Sequence, residues 1–487
     1  MRSFLLDYGI AATYLIIGSS LLYMFILAVS HRKMLSLVKS TMYSRYRELA
    51  GSEHVPPVSI LVPSHNEELT IIESVRSLML LEFPVYEIIV INDGSRDRTL
   101  QVLIEEFDLK SNRLTHYQTH VDSKPILGMY HNPLYPKLIV IDKANGGKAD
   151  ALNAGINVAQ YPLVATIDAD SLLEKDALIR LVKVYMENPE EHIAIGGNVR
   201  IANGSTVEDG RVTSVRLPSK WLPALQYVEY MKAFLGGRIG WSSVNGLLIV
   251  SGAFGLFRKD CLIEVGGYED ECPGEDMNIV MKLHRHKLAQ NLPYKIIFCP
   301  DAVCWTQAPD TLSILGSQRR RWIRGTLWNV IRFRSMLFIP KYKVIGWLSL
   351  PYTILYETIS PYIRLSGLAA LVGYVLMDMT QLPVLLVFLL ANLLIGLVFT
   401  LGSLIIEEMA MGRKVSGPSL LRILGLSVII SIYFDPLNAW WKLHGHWDYI
   451  RRNKGWGNMV RRSWATGDTA KAGVSVPESK ASKAQAI

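Results

Sequence analysis

The chain has 487 residues, of which 50% are hydrophobic and only 19% are charged, whereas about 25% are charged in an average soluble domain. Its four cysteines include no CxxC pair, which argues against a disulfide-stapled secreted fold and against a zinc ribbon. The net charge of +8 comes from basic residues beside apolar runs, so the composition favours a membrane protein and argues against a nucleic-acid partner.

The first apolar run, residues 8–30, carries no charge and predicts a membrane-spanning helix. At about 1.5 Å per residue it can cross a hydrocarbon core of about 30 Å. A signal peptide is the alternative, but the run is too long and no A-x-A cleavage site ends it. Because basic residues follow it, we expect a transmembrane helix over 1–31 and a cytosolic linker over 32–54.

Residues 55–310 have the composition of a globular domain in which short β-branched runs alternate with helical patterns. This alternation predicts an α/β domain with a largely parallel sheet, whose ligands lie at the carboxyl ends of the strands. The expected helices include 69–81 and 176–186. The expected strands are 58–62, 86–91, 138–141, 163–167, 193–195, 247–250 and 295–298.

Polar side chains follow three of these strands. Glu67 comes after the first, Asp93 after the second, and Asp168 and Asp170 after the fourth. Any one of them could be a helix N-cap, but three acidic strand ends at one edge favour a site. Two carboxylates in a DxD pair suit Mg²⁺ or Mn²⁺ that takes its other ligands from substrate phosphates, although a lone DxD is common by chance.

A glycine turn, Asn145-Gly146-Gly147-Lys148, precedes an alanine-rich helical pattern. A helix N-terminus with a lysine suits an anion, and a plain loop-to-helix turn is the alternative. The sequence has no GxGxxG and no GxxxxGK[ST] motif, so it supports neither a dinucleotide-binding fold nor a P-loop.

Taken in order, four motifs resemble the family 2 inverting glycosyltransferases, in particular the membrane-bound processive synthases of cellulose, chitin, hyaluronan and poly-N-acetylglucosamine. The resemblance covers about residues 55–330, and the QxxRW signature is its most specific part. The motifs are Asp93, Asp168-Ala169-Asp170, Glu275-Asp276 and Gln318-Arg319-Arg320-Arg321-Trp322.

The resemblance implies an α/β GT-A domain, Rossmann-like with a mostly parallel sheet, plus α-helical transmembrane segments. It also implies inverting, processive transfer of a hexose or N-acetylhexosamine from a UDP-sugar donor to a polysaccharide acceptor, a growing β-linked chain exported across the plasma membrane. A single transfer to a polyprenyl phosphate or another lipid is the alternative. The NGGKADALN turn is closer to the N-acetylglucosamine polymerases than to the cellulose synthases, and glucose stays an alternative.

The resemblance also implies roles for individual residues. Asp276 is the expected catalytic base, although the family's TED triplet is Gly274-Glu275-Asp276 here. Asp170 is the expected ligand of Mg²⁺ or Mn²⁺. The expected UDP-binding residues are Glu67, Asp93, Lys148, Asp168, Gln318 and Arg321, and the expected acceptor-binding residues are Ser251, Gly252, Glu275 and Trp322. The remaining arginines of the signature, Arg319 and Arg320, are expected to face lipid headgroups from an interfacial helix.

The C-terminal part predicts a membrane region. We expect interfacial helices with QxxRW over 311–343, and transmembrane or interfacial helices over 344–441. Runs 344–377 and 379–406 are long enough to cross, whereas 416–441 contains the uncharged run 423–434, which has only 12 residues and is expected to be interfacial. A basic cytosolic segment over 442–465 and a disordered tail over 466–487 complete the chain.

This arrangement predicts three spans in the cell's inner or plasma membrane, with the catalytic domain and the C-terminus in the cytosol. Four spans with an external C-terminus are the alternative. Glu357 and Arg364 lie inside an apolar run, where a charge is costly, so we expect them to line a polymer channel or to pair with each other. Accessory subunits are not readable from the sequence.

Overall fold

The computed structural model describes residues 2–41, 52, 54–111, 118–208, 210–412 and 414–452. Most of the linker expected over 32–54 is therefore outside the described residues. The same holds for the part of the basic segment that follows residue 452, and for the tail expected over 466–487.

Twelve strands are formed by the described residues. They are β1 Val58–Ser64, β2 Tyr86–Asp93, β3 Lys110–Ser111, β4 Ile126–His131, β5 Leu138–Lys143, β6 Leu163–Ile167, β7 Ser171–Leu173, β8 His192–Ile201, β9 Thr206–Glu208, β10 Arg211–Ser214, β11 Phe254–Arg258 and β12 Lys295–Thr306.

The α-helices of the described chain are α1 Arg2–Thr41, α2 Ile71–Met79, α3 Thr99–Phe107, α4 Lys148–Val158, α5 Ala177–Glu187, α6 Trp221–Met231, α7 Ile239–Ser243, α8 Lys259–Glu264, α9 Glu275–Ala289, α10 Leu312–Arg332, α11 Leu350–Thr353, α12 Ser360–Met377, α13 Leu382–Met411, α14 Gly417–Ile429 and α15 Asp435–Ile450. Segments of π-helix connect several of them, at Lys232–Arg238, Ile345–Ser349, Ile354–Ile359 and Ile430–Phe434.

Ten of the strands form one mixed sheet in the order β3-β4-β5-β2-β1-β6-β11-β8-β12-β7. Its centre, β5-β2-β1-β6, is parallel, and β2 is buried along its whole length, as expected for parallel strands that helices cover on both faces. Because these strands run in the same direction, their carboxyl ends meet at one edge. The residues that follow β1, β2 and β6 therefore lie at that edge, as predicted.

One expected strand is wrong. Residues 247–250 have no regular secondary structure, and the strand of this region is β11. Leu247 and Val250 are buried, and Val250 packs where glycines of the sheet leave room, at Gly196 of β8 and Gly255 of β11. The run is apolar because it covers the sheet. The sequence therefore predicted its burial correctly, but not its irregular conformation.

The helix with the QxxRW motif, α10, packs closely on the start of α9, which carries Glu275 and Asp276. A Cβ atom on Gly325 of α10 would lie 2.9 Å from the Cα atom of Gly274. The buried Asn329 donates from Nδ2 to the carbonyl of Gly274 at 3.0 Å, and its Oδ1 accepts from Asn278 Nδ2 at 3.1 Å. This contact fixes two motifs that lie over forty residues apart in the sequence.

Within the residues that the structure describes, four helical segments are long and apolar enough to cross a membrane: Asp7–Lys39, Ile345–Met377, Leu382–Met411 and Gly417–Ile450. The last is longer than the apolar stretch that the sequence suggested, because α14 and α15 continue through a π-helical segment.

Both ends of the Gly417–Ile450 segment contact the catalytic half of the chain. Near its start, Arg422 Nη2 donates to the carbonyl of Pro218 at 2.5 Å. Near its end, Asp448 lies 3.6 Å from Arg320 of α10. The segment therefore runs along the side of the catalytic domain.

We expect the Gly325→Ala substitution to destabilise the protein by about 1–3 kcal/mol, the usual cost of overpacking a close contact. The added methyl group meets the backbone of Gly274, which cannot rotate away as a side chain could. The measurement is thermal unfolding of the purified protein in detergent. Gly425→Ala on α14 is the matched control, since a Cβ there meets nothing within 4 Å. Equal unfolding temperatures for the two variants would contradict the prediction.

Candidate active site

The ammonium group of Lys148, the first residue of α4, joins three separate parts of the chain. Its Nζ atom lies 2.6 Å from Asp168 Oδ1 and 3.2 Å from Glu275 Oε1, and it donates to the carbonyl of Gly252 at 3.4 Å. The side chain of Lys148 is only 22% exposed. The structure therefore brings together four of the predicted site residues around one positive charge, which we call the Lys148 cluster.

The close approach of Lys148 Nζ to the backbone requires a glycine at position 252. A Cβ atom at this position would lie 2.6 Å from Lys148 Nζ, so the absence of a side chain leaves room for the lysine. The preceding residue, Ser251, is half-buried and its carbonyl accepts from the amide of Phe254 at 3.1 Å. The Ser251-Gly252 turn thus leads into β11 directly beside the Lys148 cluster.

Asp276 lies at the edge of the same cluster, in the first turn of α9. Its Oδ1 accepts from the amide of Met277 at 2.8 Å, and its Oδ2 is 3.4 Å from the amide nitrogen of Gly252. Burial, together with repulsion from Glu275, raises the pKa of Asp276 to about 6, although Lys148 and Arg238 oppose the shift. A carboxylate with a pKa near neutrality is suited to accept a proton at physiological pH.

The remaining charges of the cluster are predominantly negative. Burial alone would lower the pKa of Lys148, but the nearby Asp168 and Glu275 outweigh it and raise that pKa, so the side chain is an ammonium. Burial raises the pKa of Asp168, and the charge of Asp170 adds to the shift. Three carboxylates, those of Asp168, Glu275 and Asp276, act on the one lysine, and this excess of negative charge is what a cation would balance.

The donor set fits a hard divalent cation. Asp168 and Asp170 supply carboxylate oxygens of the kind that Mg²⁺ and Mn²⁺ prefer. No group of three or more His, Cys, Asp or Glu side chains among the described residues could hold a metal without help. A cation at this place would therefore complete its coordination with oxygens from a substrate or from water.

Asp93 lies at the same edge, but both oxygens of its carboxylate already accept hydrogen bonds from other residues of the protein. Oδ1 accepts from Lys143 Nζ at 2.6 Å and from the amide of Gly146 at 2.9 Å, while Oδ2 accepts from the amide of Gly147 at 2.7 Å. Lys143 is fully buried and also pairs with Asp150 of α4. Asp93 therefore anchors the glycine turn in front of Lys148, and its expected direct contact with UDP stays a prediction.

Sequence reasoning missed Lys143 and Asp150 in this network. The available signal was a lysine at the end of a strand that begins with four apolar residues, Leu138–Lys143, followed closely by an aspartate in an alanine-rich helix.

Glu67 is buried between β1 and α2. Its Oε2 accepts from Thr70 Oγ1 at 2.8 Å, and its amide donates to Thr99 Oγ1 at 2.8 Å. These bonds hold the loop after β1 against the start of α3. The structure thus places Glu67 at the predicted edge, and its contact with UDP stays a prediction.

The QxxRW residues form a second group on α10. The ring of Trp322 is 40% exposed and faces Tyr230 of α6 with 6.5 Å between the ring centroids. Gln318 has a buried Oε1 atom with no hydrogen-bond partner among the described residues. Burial raises the pKa of the Tyr230 hydroxyl to about 12; Arg319 opposes the shift, and the charges of Glu229 and Asp170 add to it.

The expected lipid-facing position of Arg319 is wrong. Arg319 is only 6% exposed, its Nη2 atom lies 2.5 Å from Glu229 Oε2, and its guanidinium is 4.3 Å from the centre of the Trp322 ring. A carboxylate and an aromatic face offered by α6 and α10 hold the cation inside the protein. Arg320 is partly exposed, and its ion pair with Asp448 places it against α15.

Comparison with known proteins identifies the family to which these motifs belong. A model of the glycosyltransferase-like family 2 matches residues 56–325, and a chitin synthase model matches residues 277–474. The chain is 30% identical over 317 residues to a poly-beta-1,6-N-acetyl-D-glucosamine synthase of Staphylococcus epidermidis, over 63% of this chain and 66% of that protein. It is 29% identical over 302 residues to the probable glycosyltransferase YdaM of Bacillus subtilis, over 61% of each chain.

A solved structure shows the same fold. The mannosyltransferase PcManGT of Pyrobaculum calidifontis, in complex with GDP-Man and Mn²⁺, superposes with a TM-score of 0.56 at 17% identity, over 92% of this chain and 100% of that one. The expected GT-A fold class is confirmed. The family 2 model covers more than half of the chain, and the residues that carry the motifs converge at one edge of the sheet. The protein therefore belongs to glycosyltransferase family 2.

Proposed function

We propose that this protein is a membrane-bound synthase that transfers N-acetylglucosamine from its UDP-sugar to a growing β-linked polysaccharide with inversion. The observation that carries the proposal is the Lys148 cluster, in which an ammonium group, the DxD motif and the base candidate Asp276 meet. Two poly-beta-1,6-N-acetyl-D-glucosamine synthases among the relatives support the choice of sugar. This chain aligns with 66% of the length of one and 74% of the other.

In the proposed reaction an acceptor hydroxyl attacks the anomeric carbon from the face opposite the diphosphate. The new glycosidic bond forms as the bond from that carbon to the phosphate oxygen breaks, and the electron pair leaves with UDP. Asp276 takes the hydroxyl proton. Lys148 and Arg321 stabilise the negative charge that develops on the leaving diphosphate.

Asp168 and Asp170 are the residues that would hold Mg²⁺ or Mn²⁺ in this reaction. The cation supplies Lewis-acid stabilisation of the departing diphosphate. The Mn²⁺ in the complex of the structurally similar mannosyltransferase supports this assignment.

The direct test uses the purified protein in nanodiscs with Mn²⁺ or Mg²⁺ and a panel of UDP-sugars. We expect UDP release with UDP-N-acetylglucosamine, and a product that a linkage-specific hexosaminidase digests. A chelator should stop the reaction, and added metal should restore it. Labelled product that is extractable into chloroform–methanol and resists the hydrolase would contradict the proposal and indicate a single transfer to a lipid acceptor.

We expect Asp276→Asn to lower kcat at least about 100-fold, the lower end of what a general base contributes, while the affinity for UDP stays within twofold. The amide keeps the shape of the carboxylate but cannot accept the proton. Because the active form of Asp276 is the ionised one and its pKa is about 6, the wild-type rate should be on a plateau above that pH. The rate should fall about tenfold for each pH unit below it.

The matched control is Asp260→Asn. Asp260 follows Arg258, which pairs with the first residue of β6, so it lies at the opposite end of the sheet from the active site. Asp260→Asn should keep the wild-type rate and pH profile. A wild-type rate in Asp276→Asn, or an unshifted acidic limb in its profile, would exclude Asp276 as the base.

We further propose three membrane spans, with α14 and α15 along the membrane interface and the catalytic domain in the cytosol. The contacts of Arg422 with Pro218 and of Asp448 with Arg320 support this arrangement. A helix that crossed the membrane fully would carry one of its ends away from a domain on one side.

A cysteine scan tests this topology. We expect a cysteine at Ser463 to resist a membrane-impermeant thiol reagent in intact cells and to react after permeabilisation. A cysteine at Thr380, in the turn between α12 and α13, should react from outside and is the positive control. The four native cysteines are buried and give a low background. Labelling of Ser463→Cys in intact cells would show a fourth crossing.

We propose that the polymer leaves along α11 and the π-helix Ile354–Ile359 that follows it. Glu357 pairs with Lys442 of α15, and not with Arg364, the partner that the sequence offered as the alternative to a channel role. Tyr356 stacks on Tyr352 with 4.4 Å between ring centroids, and Trp241 lies 4.9 Å from Tyr352. A row of aromatic rings beside a polar pair offers flat faces and hydrogen-bonding groups suited to a sugar chain.

A further inference from the structure

Residues 333–344 connect the QxxRW helix α10 to the apolar helical segment Ile345–Met377, and the proposed mechanism gives them no role. They contain two short 3₁₀ turns and no longer helix or strand. Phe333 and Met336 are buried, so the start of this segment is anchored in the body of the protein. We call the segment the 333–344 loop.

The middle of the loop exposes large apolar side chains. Phe338 is 57% exposed, and Trp347, in the π-helix that follows the loop, is 55% exposed. Their rings meet edge to face with 5.6 Å between the centroids, and the neighbouring Ile339 is exposed as well. Large apolar side chains grouped on a surface mark a contact with a membrane or with another protein.

The backbone holds Phe338 in this exposed position against its own preference. The φ angle of Phe338 is +56°, in the left-handed region that a residue with a bulky side chain rarely adopts. Its amide donates to the carbonyl of Gly346 at 3.1 Å, and this bond closes the loop. Strained residues persist where the surrounding structure enforces them, often at a site of function. The closed loop is therefore what presents the ring of Phe338.

Basic side chains surround this apolar group. Arg334, Lys341 and Lys343 are exposed, and no carboxylate in the part of the chain that the structure describes pairs with any of them. Arg332, at the end of α10, lies 3.6 Å from Glu269 and is still half exposed. The sequence has no Asp or Glu between residues 311 and 356, so the loop and the segments on either side of it carry only positive charge.

The two properties together fit one partner, a membrane surface with anionic headgroups. Aromatic side chains favour the depth at which headgroups meet acyl chains, and nearby Lys and Arg side chains attract anionic lipids. The position agrees, because the loop leads directly into a segment that is long and apolar enough to cross a membrane. A second copy of the chain would bring the same positive charge to this surface, so charge disfavours self-association through the loop.

We propose that the 333–344 loop binds anionic phospholipid. Phe338, Ile339 and Trp347 enter the membrane at the level of the headgroups, and the basic side chains beside them bind phosphate oxygens of the lipid. The ligand class is an anionic phospholipid such as phosphatidylglycerol. The inference rests on the proposed membrane location and not on the proposed sugar transfer, so either can fail without the other.

The test uses a bimane probe on Ile339→Cys in the full-length protein, reconstituted in nanodiscs of phosphatidylcholine and phosphatidylglycerol. The four native cysteines are buried. Lipids that carry a spin label near the headgroup end of an acyl chain quench a probe at that depth. We expect both lipids to quench, and spin-labelled phosphatidylglycerol to reach half-quenching at a concentration at least about fivefold lower than spin-labelled phosphatidylcholine, the preference that about one basic side chain gives at an anionic surface.

Two variants separate the contributions of charge and of the aromatic ring. Lys341→Gln together with Lys343→Gln should abolish the preference for phosphatidylglycerol and leave quenching by phosphatidylcholine unchanged. Phe338→Gly should weaken quenching by both lipids, because the ring is lost. Glycine adopts a positive φ readily, so Phe338→Gly should keep the unfolding temperature of the wild type in detergent, which distinguishes a lipid contact from a role in stability.

Lys110→Gln together with Lys137→Gln is the matched control, because it removes the same charge from exposed positions elsewhere. Lys110 lies on β3, the strand at one edge of the sheet, and Lys137 precedes β5. By contrast, α13 meets the sheet at Arg200 of β8, near the other edge. The control should keep the wild-type preference for phosphatidylglycerol.

Three results would overturn the inference. The first is a probe at position 339 that keeps the emission spectrum of a water-exposed group and escapes quenching. The second is blue-shifted emission without quenching by either lipid, which would indicate a protein partner such as a second copy. The third is equal quenching by the two lipids in the wild type, or a preference for phosphatidylglycerol that survives in the double lysine variant.

Discussion

The site depends on one ammonium group that is held among carboxylates. Lys148 lies within 3.2 Å of both Asp168 and Glu275 and donates to the backbone of Gly252, so one charge links the DxD motif, the start of α9 and the turn before β11. The attraction is strong because these groups are largely withdrawn from water. Burial raises the pKa of Asp276, and the charge of Glu275 adds to the shift. The excess of carboxylates at this place suits a cation.

Lys148 can act in this way only because the turn before it is rigid. Asp93 takes the amide hydrogens of Gly146 and Gly147 as well as the buried ammonium of Lys143, and Lys143 in turn pairs with Asp150 on the same helix as Lys148. A buried charge without a partner would be costly, so removal of any member of this network releases the others. Helix α9 is held independently against α10, by the close contact of Gly274 with Gly325 and by the hydrogen bond from Asn278 to Asn329.

The long apolar helices pack against the α/β domain. One hydrophobic core continues from the sheet into residues of α13, α14 and the π-helix after it, such as Leu404, Ile423 and Phe434. Buried ion pairs cross the boundary as well, since Glu407 of α13 meets Arg200 and Tyr227. The hydroxyls of α1 satisfy carbonyls that the π-helix before α7 leaves open. The α/β domain and the long apolar helices are therefore one packed unit.

The sequence by itself determined the membrane character, the α/β domain, the family and the residues that converge at the carboxyl edge of the sheet. These follow from local composition and periodicity, and from the rule that parallel strands end at the same edge. Only the tertiary structure decided what each charged group contacts. Arg319 pairs with Glu229, ninety residues away, Asp93 binds the glycine turn, and residues 247–250 cover the sheet without joining it. The physical reason is that the energy of a buried charge depends on its partners across the fold, and no local pattern in the sequence states which partners these are.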